Sequence, residues 1–296
     1  MCIRDRIRPQ KDYALIGGYD MDAGLYKLWR INVDGSGFTY LVDVPGEVYR
    51  VEWLEDGGKA LVLTSTGLYE YNPADNTLNL KNEGLNRPYY DFRRHVGNTF
   101  FITGFDYPYN KLLMYDYNTN EAEVIGQLNS GWVAGRIVIR SNPFMLCYLS
   151  VKSYPPDSGV YVNVYDGSSL SAVRFRGYAE YYVSGSLCDW DAGGGYLYLI
   201  LGIWAGEEPY LRSEVWRMSV DGGFMKVYEE VDNPGVFINW GCRVPGVDRF
   251  LAVNGGLVFG GPGQLASYMV YWDNTWVYVF DEAEPTSWIC REVDVV

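Results

Sequence analysis

The chain has 296 residues, of which 24 are basic and 37 acidic, and it contains 27 Tyr, 12 Phe, 10 Trp and one His. The net charge of −13 argues against a nucleic-acid backbone or an anionic membrane surface as the main partner. A single His excludes any site that needs two imidazoles, and no apolar run is long enough to predict a membrane span.

The first ten residues differ in character from the rest. Met1–Gln10 is basic, lacks an apolar segment and matches nothing downstream, so we expect an N-terminal arm or a non-native leader. From residue 11 to residue 296, short alternating runs of Tyr, Val, Leu, Ile and Trp are separated by Gly, Asn, Asp and Pro, which predicts strands throughout. We expect residues 11–296 to form a single all-β domain.

Six segments along this domain repeat one pattern, in which an alternating strand leads into a tight polar turn and a second strand. Their first turn residues are 38, 46, 48, 55 and 52 residues apart. Propeller blades of four strands repeat about every 40–50 residues. The spacing of the hairpins is close to this blade length, so each hairpin is predicted to belong to one blade. The pattern predicts a six-bladed β-propeller of four-stranded antiparallel blades. The six turn residues are Asp34, Asn72, Asn118, Asp166, Asp221 and Asp273.

The first and last segments complement each other. The first blade shows only three strands, between residues 13 and 44, whereas the tail, Ser287–Val296, is a surplus strand. The tail carries Trp288-Ile289-Cys290-Arg291, and the sixth blade begins with the similar Trp240-Gly241-Cys242-Arg243. We therefore expect the C-terminal strand to be the missing innermost strand of the first blade, which closes the ring and removes its exposed sheet edges.

Two segments resemble a known repeat. Trp53–Lys59 (WLEDGGK), followed by Ala60–Leu63 (ALVL), resembles the W-S-P-D-G-K repeat of TolB-like and WD40-like propellers, and Leu28–Gly37 (LWRINVDGSG) resembles the strand and turn that follow in that repeat. Asp189-Trp190-Asp191 is a degenerate form of it. The resemblance implies a six-bladed fold but no particular function, because members of that superfamily act as scaffolds, receptors and enzymes.

One face of the predicted propeller carries the long loops, including GYDMDAG from Gly18, FDYPYN from Phe105, KSYPPDS from Lys152 and WAGEEPYLRS from Trp204. Tyrosine provides a large contact area and keeps a polar tip, so this face is the predicted binding surface. The alternative is that the loops are only long and solvated. The predicted binding residues are Tyr89, Tyr90, Tyr107, Tyr109, Tyr154, Tyr181, Tyr182, Glu207, Glu208 and Tyr210.

A second candidate site is the predicted central channel. Arg243 and Arg291 occupy equivalent positions on innermost strands, and together they could hold an anion or a carboxylate. The alternative is that such arginines pair with neighbouring Asp or Glu. Other arginines in similar places are Arg50, Arg93 or Arg94, and Arg136.

Sequence motifs for catalysis are absent, and we expect no catalytic residue, no metal site and no cofactor. Calcium is an alternative because two D-x-D-x-G fragments occur, Asp20/Asp22/Gly24 and Asp189/Asp191/Gly193. Glu207 or Glu208 could be half of a glycosidase pair if a distant carboxylate joined it. His95 lies on a predicted inner strand and is interpreted as structural rather than as a general base.

These observations lead to two hypotheses. The first is a non-catalytic interaction or structural propeller, extracellular or periplasmic, that binds protein through the Tyr- and carboxylate-rich face and assembles with copies of itself into an oligomer or filament. The second is a carbohydrate-binding or carbohydrate-active propeller of the glycosidase or lyase type, because Tyr and Trp rings stack on sugars and carboxylates bind hydroxyls. Neither hypothesis involves nucleic acid or a membrane span.

Overall fold

The computed structural model shows only β-strands as regular elements within the residues that it describes. No helix long and apolar enough to cross a membrane occurs in that part of the chain. The described ranges are 13–20, 22–32, 39–86, 89–152, 158–177, 181–190, 194–205, 211–231, 238–244, 249–254, 267–270 and 276–280.

The strands before residue 130 form one compact unit of three antiparallel sheets. Sheet A has the order β1-β2-β3, sheet B β4-β5-β6-β7 and sheet C β8-β9-β10-β11. The strands are β1 (Tyr13–Asp20), β2 (Leu25–Asn32), β3 (Thr39–Val44), β4 (Val48–Trp53), β5 (Ala60–Thr64), β6 (Gly67–Asn72), β7 (Thr77–Asn82), β8 (Tyr89–Arg94), β9 (Thr99–Asp106), β10 (Tyr109–Asp116) and β11 (Glu121–Leu128).

The strands after residue 130 form a second compact unit, again of three antiparallel sheets. Sheet D has the order β12-β13-β14-β15, sheet E β16-β17-β18-β19 and sheet F β20-β21-β22-β23. The strands are β12 (Trp132–Ser141), β13 (Phe144–Lys152), β14 (Gly159–Tyr165), β15 (Leu170–Gly177), β16 (Tyr181–Trp190), β17 (Tyr196–Ala205), β18 (Leu211–Ser219), β19 (Phe224–Val231), β20 (Ile238–Val244), β21 (Arg249–Asn254), β22 (Ser267–Val270) and β23 (Trp276–Phe280).

Apolar side chains from both faces of sheet B form the core of the first unit. Val62 of β5 packs with Leu28 and Trp53, whereas its neighbour Leu61 packs with Phe92 and other residues of sheet C. Successive side chains of a strand point to opposite faces, so both faces of β5 are covered, and all five of its residues are buried. This double burial explains why β5 is a nearly continuous apolar run, and each large side chain so buried contributes about 1.5–3 kcal/mol.

Sheets D and E share the main core of the second unit. Leu149 and Val162 of sheet D pack against Leu187 and Leu199 of sheet E. Cys147 lies in the same cluster as a free thiol, and burial raises its pKa far above the usual range. This cysteine is therefore a small apolar core residue rather than a reactive thiol.

Two hairpins at the outer strands use the same local device. Asn76 and Asn120 have φ of 55° and 60°, in the left-handed region. The Tyr71 hydroxyl donates to Asn76 Oδ1 at 2.7 Å, and the Tyr115 hydroxyl donates to Asn120 Oδ1 at 2.9 Å. Burial raises the pKa of Tyr71 to about 12, so its hydroxyl stays a donor at all ordinary pH values. A buried tyrosine thus fixes the turn residue for which the backbone requires Asn or Gly.

Substitution of Asn76 tests this device. Asn76→Ala loses the hydrogen bond and places a Cβ-bearing residue in a left-handed conformation that it disfavours, so the free energy of unfolding should fall by about 1–2 kcal/mol. Asn76→Gly loses only the hydrogen bond and should cost less. Urea denaturation of the two variants beside the parent measures both effects. Equal losses for Ala and Gly would show that the left-handed backbone is not the cause.

The structure confirms the all-β class and the antiparallel four-stranded sheets. Each of the six predicted hairpins corresponds to an antiparallel pair of neighbouring strands, from β2 and β3 to β22 and β23. The predicted turn residues Asp34 and Asp273 themselves lie outside the described residues. Sheet A has three described strands, as the sequence predicts for the first blade. Ring closure by Ser287–Val296 lies outside the described residues and stays a prediction.

Candidate functional site

The strands that flank each loop predicted to bind meet at one edge of their sheet. Antiparallel pairing brings the start of the first strand and the turn between the second and third strands to the same edge, which we call the loop edge. In sheet C, Tyr89 pairs with Gly104, and Asp106 pairs with Tyr109 across the next turn. The backbone therefore places Tyr89 and Tyr90 at the same loop edge as Tyr107 and Tyr109.

The turn at the loop edge of sheet C presents two tyrosines to solvent. The Tyr107 side chain is 79% exposed and that of Tyr109 is 41% exposed. The Phe105 ring contacts the Tyr107 ring edge-on, with centroids 6.4 Å apart. Lys111 Nζ donates to Asp106 Oδ2 at 2.7 Å and joins the two strands of the hairpin. The result is an ordered aromatic surface on a short, braced hairpin.

This turn is shorter than the sequence predicts. The long loop expected over residues 105–110 is a hairpin whose strands reach Asp106 and restart at Tyr109. Phe105 and Asn110 are both buried, so they continue the strands and leave only two residues for the turn. A short hairpin orders the tyrosines before any partner arrives, which reduces the entropy cost of binding.

The other predicted binding residues belong to sheets D and E. In sheet E, Tyr181 pairs with Ala205 and Tyr182 with Trp204, so their backbone lies at the loop edge. The structure describes the backbone but not the side chains of Tyr89, Tyr90, Tyr181 and Tyr182. The remaining predicted residues, Tyr154, Glu207, Glu208 and Tyr210, lie outside the described residues.

The arginines of two first strands belong to a buried ion network. Arg50 on β4 is 1% exposed, and its Nη2 lies 3.4 Å from Glu52 Oε1. Its Nε lies 3.6 Å from Asp91 Oδ1 on β8, and Arg93 Nη1 lies 3.8 Å from Glu52 Oε1. These contacts match the alternative in which first-strand arginines pair with neighbouring carboxylates. The four charges balance and join sheet B to sheet C.

Arg243 and Arg291 are the two arginines predicted to hold an anion in the channel. The backbone of Arg243 lies in β20, and its side chain is not described, whereas Arg291 lies outside the described residues. Anion binding by these arginines stays a prediction.

The ion network was only half visible in the sequence. Arg50 and Arg93 stood out as arginines on inner strands, but Glu52 was missed. The sequence signal for the network is the spacing of its charges. Arg50 and Glu52 are two residues apart on one strand. Asp91 and Arg93 are two residues apart on another. Residues at i and i+2 share one face of a strand, so each strand presents one acid and one base to the same side.

The first D-x-D-x-G fragment is a tight turn. Asp20 Oδ1 accepts hydrogen bonds from the backbone N–H groups of Asp22 and Ala23, both at 3.0 Å, and Asp20 Oδ2 accepts one from Lys27 Nζ at 2.6 Å. The Lys27 hydrogen bond is the main cause that lowers the pKa of Asp20. Both oxygens of this carboxylate are thus engaged by the turn and by Lys27.

The second fragment falls on Asp191 and Gly193, which lie outside the described residues. Within the described ranges, no group of three or more His, Cys, Asp or Glu side chains is placed to hold a metal ion.

The His95 ring lies against the Phe101 ring, with ring centroids 4.8 Å apart.

Solved β-propeller structures match nearly the whole chain at low sequence identity. An oligogalacturonate lyase in complex with manganese gives a TM-score of 0.57 at 14% identity, over 96% of this chain and 77% of that one. TolB from Acinetobacter baumannii gives 0.58 at 11% identity over 90% of this chain, which spans 62% of that TolB. The β-propeller domain of the Trilobed protease from Pyrococcus furiosus gives 0.52 at 10% identity, over 95% of this chain and 82% of that one.

No family model and no curated protein sequence matches the chain. At these identities the structural likeness defines the fold alone, because one propeller fold carries unrelated activities. The class of protein is a β-propeller with TolB-like structural neighbours.

Proposed function

We propose that the chain is a non-catalytic interaction propeller that binds protein, copies of itself included, through its Tyr- and carboxylate-rich loop edges. The proposal includes a closed ring of six blades and a location outside the cytoplasm. One observation carries it: two exposed tyrosines, Tyr107 and Tyr109, stand on a braced hairpin of sheet C. Exposed, ordered aromatic rings are the residues that protein interfaces use as anchors.

The charge of the hairpin supports a protein partner. Asp106 is largely exposed although it pairs with Lys111, so the tyrosines have a polar rim beside them. An apolar centre with a charged rim is the usual composition of a protein interface. Tyr107 buries a large area at little entropy cost, because its side chain has only two rotatable angles and its backbone is already a tight turn.

Self-association is measured by sedimentation velocity and native mass spectrometry over a concentration series. The parent chain is expected to form a reversible oligomer. The double variant Tyr107→Ser/Tyr109→Ser should raise the dissociation constant of self-association at least tenfold, which is about 1.4 kcal/mol. The matched control is Tyr40→Ser. Tyr40 is 50% exposed on β3 of sheet A, beside the hairpin turn at the edge opposite the loop edge.

The control variant should associate like the parent. A parent chain that remains monomeric up to its solubility limit would contradict binding to copies of itself. Equal weakening by Tyr40→Ser would show that exposed tyrosine in general, rather than the loop edge, governs association.

Carbohydrate is the second candidate ligand, and the exposed Tyr107 ring is the observation that favours it, since a flat ring stacks on a sugar. The structural match to an oligogalacturonate lyase makes oligogalacturonate the first sugar to test. Calorimetry with oligogalacturonate measures binding, and formation of unsaturated product with and without manganese measures lyase action. Binding lost in Tyr107→Ser, with the parent monomeric, would favour this function over the first.

A location outside the cytoplasm is tested separately. The native protein, followed by an antibody in fractionated cells of its source, is expected in the extracellular or periplasmic fraction. Its recovery with cytoplasmic markers would contradict the location while leaving the interaction role open.

A further inference from the structure

The third strand of sheet E carries an arginine that lies against an aromatic ring and a thioether. The Arg217 guanidinium lies 4.3 Å from the centre of the Tyr196 ring, and Arg217 Nη2 donates to Met225 Sδ at 3.2 Å. The register explains this grouping, because Arg217 pairs with Met225 on β19 and with Tyr198 on β17, two residues after Tyr196. Paired residues, and residues two apart on one strand, share a face of the sheet. We call Tyr196, Arg217 and Met225 the Arg217 patch.

The Arg217 patch reaches solvent at one edge of sheet E. Tyr196 is 37% exposed and Met225 is 52% exposed. Tyr196 begins β17 and Met225 is the second residue of β19, so both stand beside turns at the edge opposite the loop edge. Aromatic residues, Met and Arg are enriched at protein interfaces relative to the rest of the surface, whereas Lys and Glu are depleted. The composition of the patch therefore indicates a docking surface for protein.

The charge of the patch narrows the choice of partner. Among the described residues, no carboxylate lies within 4 Å of the Arg217 guanidinium, whereas Arg50 and Arg93 both face Glu52. Asp221, in the turn after β18, accepts a hydrogen bond from the Ser219 hydroxyl. A thioether is a weak acceptor, so the guanidinium keeps donor groups for a stronger one. The patch thus suits a partner that presents a carboxylate beside an aromatic ring.

The hairpin at the loop edge of sheet C presents this combination of groups. The Asp106 side chain is 66% exposed and precedes the exposed Tyr107, and Lys111 Nζ engages its Oδ2 atom. A contact between two such hairpins would bring two Asp106 carboxylates together, and a contact between two patches would bring two Arg217 guanidiniums together. Like charges across an interface are unfavourable, so charge complementarity favours a hairpin on a patch.

We propose that the Arg217 patch of one copy is the docking site for the sheet C hairpin of a second copy. The Asp106 carboxylate then meets the Arg217 guanidinium, and the Tyr107 ring packs on Tyr196 and Met225. The inference rests on the self-association proposed above and names the surface that the hairpin meets. The contact joins two different surfaces, so a copy with a defective hairpin still offers its patch, and a copy with a defective patch still offers its hairpin.

Mixing two defective variants tests this contact. Tyr107→Ser/Tyr109→Ser removes the rings of the hairpin, and Arg217→Ser removes the cation of the patch. In sedimentation velocity each variant alone should associate at least tenfold more weakly than the parent chain. In native mass spectrometry an equimolar mixture should form a mixed pair with one copy of each variant, because one intact hairpin meets one intact patch. A contact between two hairpins predicts no mixed pair.

Arg30→Ser is the matched control for Arg217→Ser. Both arginines stand in the same W-R-x-x-V-D-G pattern, over residues 29–35 and 216–222. The Arg30 guanidinium also lies near a tyrosine, 5.7 Å from the centre of the Tyr13 ring, but the residue opposite on β3 is Thr39 rather than methionine. The Arg30→Ser variant should therefore associate like the parent chain.

Three results would overturn the proposal: association of Arg217→Ser equal to that of the parent, no mixed pair from two folded variants, or equal weakening by Arg30→Ser. Circular dichroism checks that each variant folds. If Arg217→Ser does not fold, Met225→Ser takes its place, because Met225 is half exposed and its loss leaves the core intact.

The outcomes also separate this contact from the proposed function. Association that is lost in Tyr107→Ser/Tyr109→Ser but kept in Arg217→Ser would show that the hairpin docks elsewhere, and the loop-edge function would stand. A parent chain that stays monomeric would overturn both the contact and the self-association on which it rests.

Discussion

Glu52→Gln is expected to lower the free energy of unfolding by about 3–5 kcal/mol, the cost of breaking a buried ion pair by removing one partner. The Glu52 carboxylate is 2% exposed and lies within 4 Å of both Arg50 and Arg93. Removing its charge takes away a carboxylate that both buried guanidinium groups face. A loss of this size is a large part of the 5–15 kcal/mol or so by which a typical domain is stable.

Chemical denaturation of Glu52→Gln beside Glu55→Gln measures this effect. Glu55 is an exposed glutamate in the turn after β4, so its variant should stay within about 0.5 kcal/mol of the parent. A loss below about 1 kcal/mol for Glu52→Gln would show that the network does not hold sheets B and C together.

Replacing all four charged residues tests whether the ion network has a structural role or a role in binding. The quadruple variant Arg50→Met, Glu52→Leu, Asp91→Leu and Arg93→Met removes all four charges at once, and such replacements are often neutral or stabilising. If it is more stable than Glu52→Gln and still associates like the parent, the network is structural. Lost association with retained stability would instead give these residues a role in binding.

Gly131→Ala is expected to lower the free energy of unfolding strongly although it adds only one methyl group. Gly131 has φ of +96°, which L residues rarely adopt, and an added Cβ would overlap the backbone carbonyl of Val151. The neighbouring backbone has little freedom to move, because Ser150 Oγ donates to Ser130 O at 2.9 Å and Asn163 Nδ2 donates to Ser150 Oγ at 2.9 Å. Backbone strain and overpacking together should cost about 2–6 kcal/mol.

Gly167→Ala is the matched control for Gly131→Ala. Gly167 has nearly the same φ, +97°, but the nearest atom to an added Cβ is on the Phe144 ring at 3.4 Å, an ordinary contact. Its variant should show only the backbone cost, about 1–3 kcal/mol. Urea denaturation compares the two, and equal losses would rule out the overlap with Val151 as a cause.

Periodicity predicted the fold better than it predicted the site. The repeated polar turns, from Asp34 to Asp273, lie between strands that pair as neighbours, since Asp, Asn and Gly favour the tight turns at which strands reverse. The same reasoning overestimated the loop at Phe105, because Asp106 and Tyr109 are polar enough to resemble loop residues although they belong to strands. Strand ends depend on pairing with neighbours, which a single-strand pattern does not contain.

The buried charges show a second limit of the sequence. Arg50 and Asp91 lie 41 residues apart in the chain, yet their side chains are within 4 Å because β4 and β8 are neighbouring first strands. The charge of these two residues alone would predict a position on the surface, where charged side chains usually lie. Only the stacking of one sheet on the next brings opposite charges close enough to remain buried.

Electron microscopy of the unchanged protein at associating concentrations tests the central claim most directly. The predicted result is a closed six-bladed ring in contact with another copy through the loop edge of sheet C, with Tyr107 and Tyr109 at the interface. Isolated rings at every concentration, or copies joined through another surface, would contradict the proposed function.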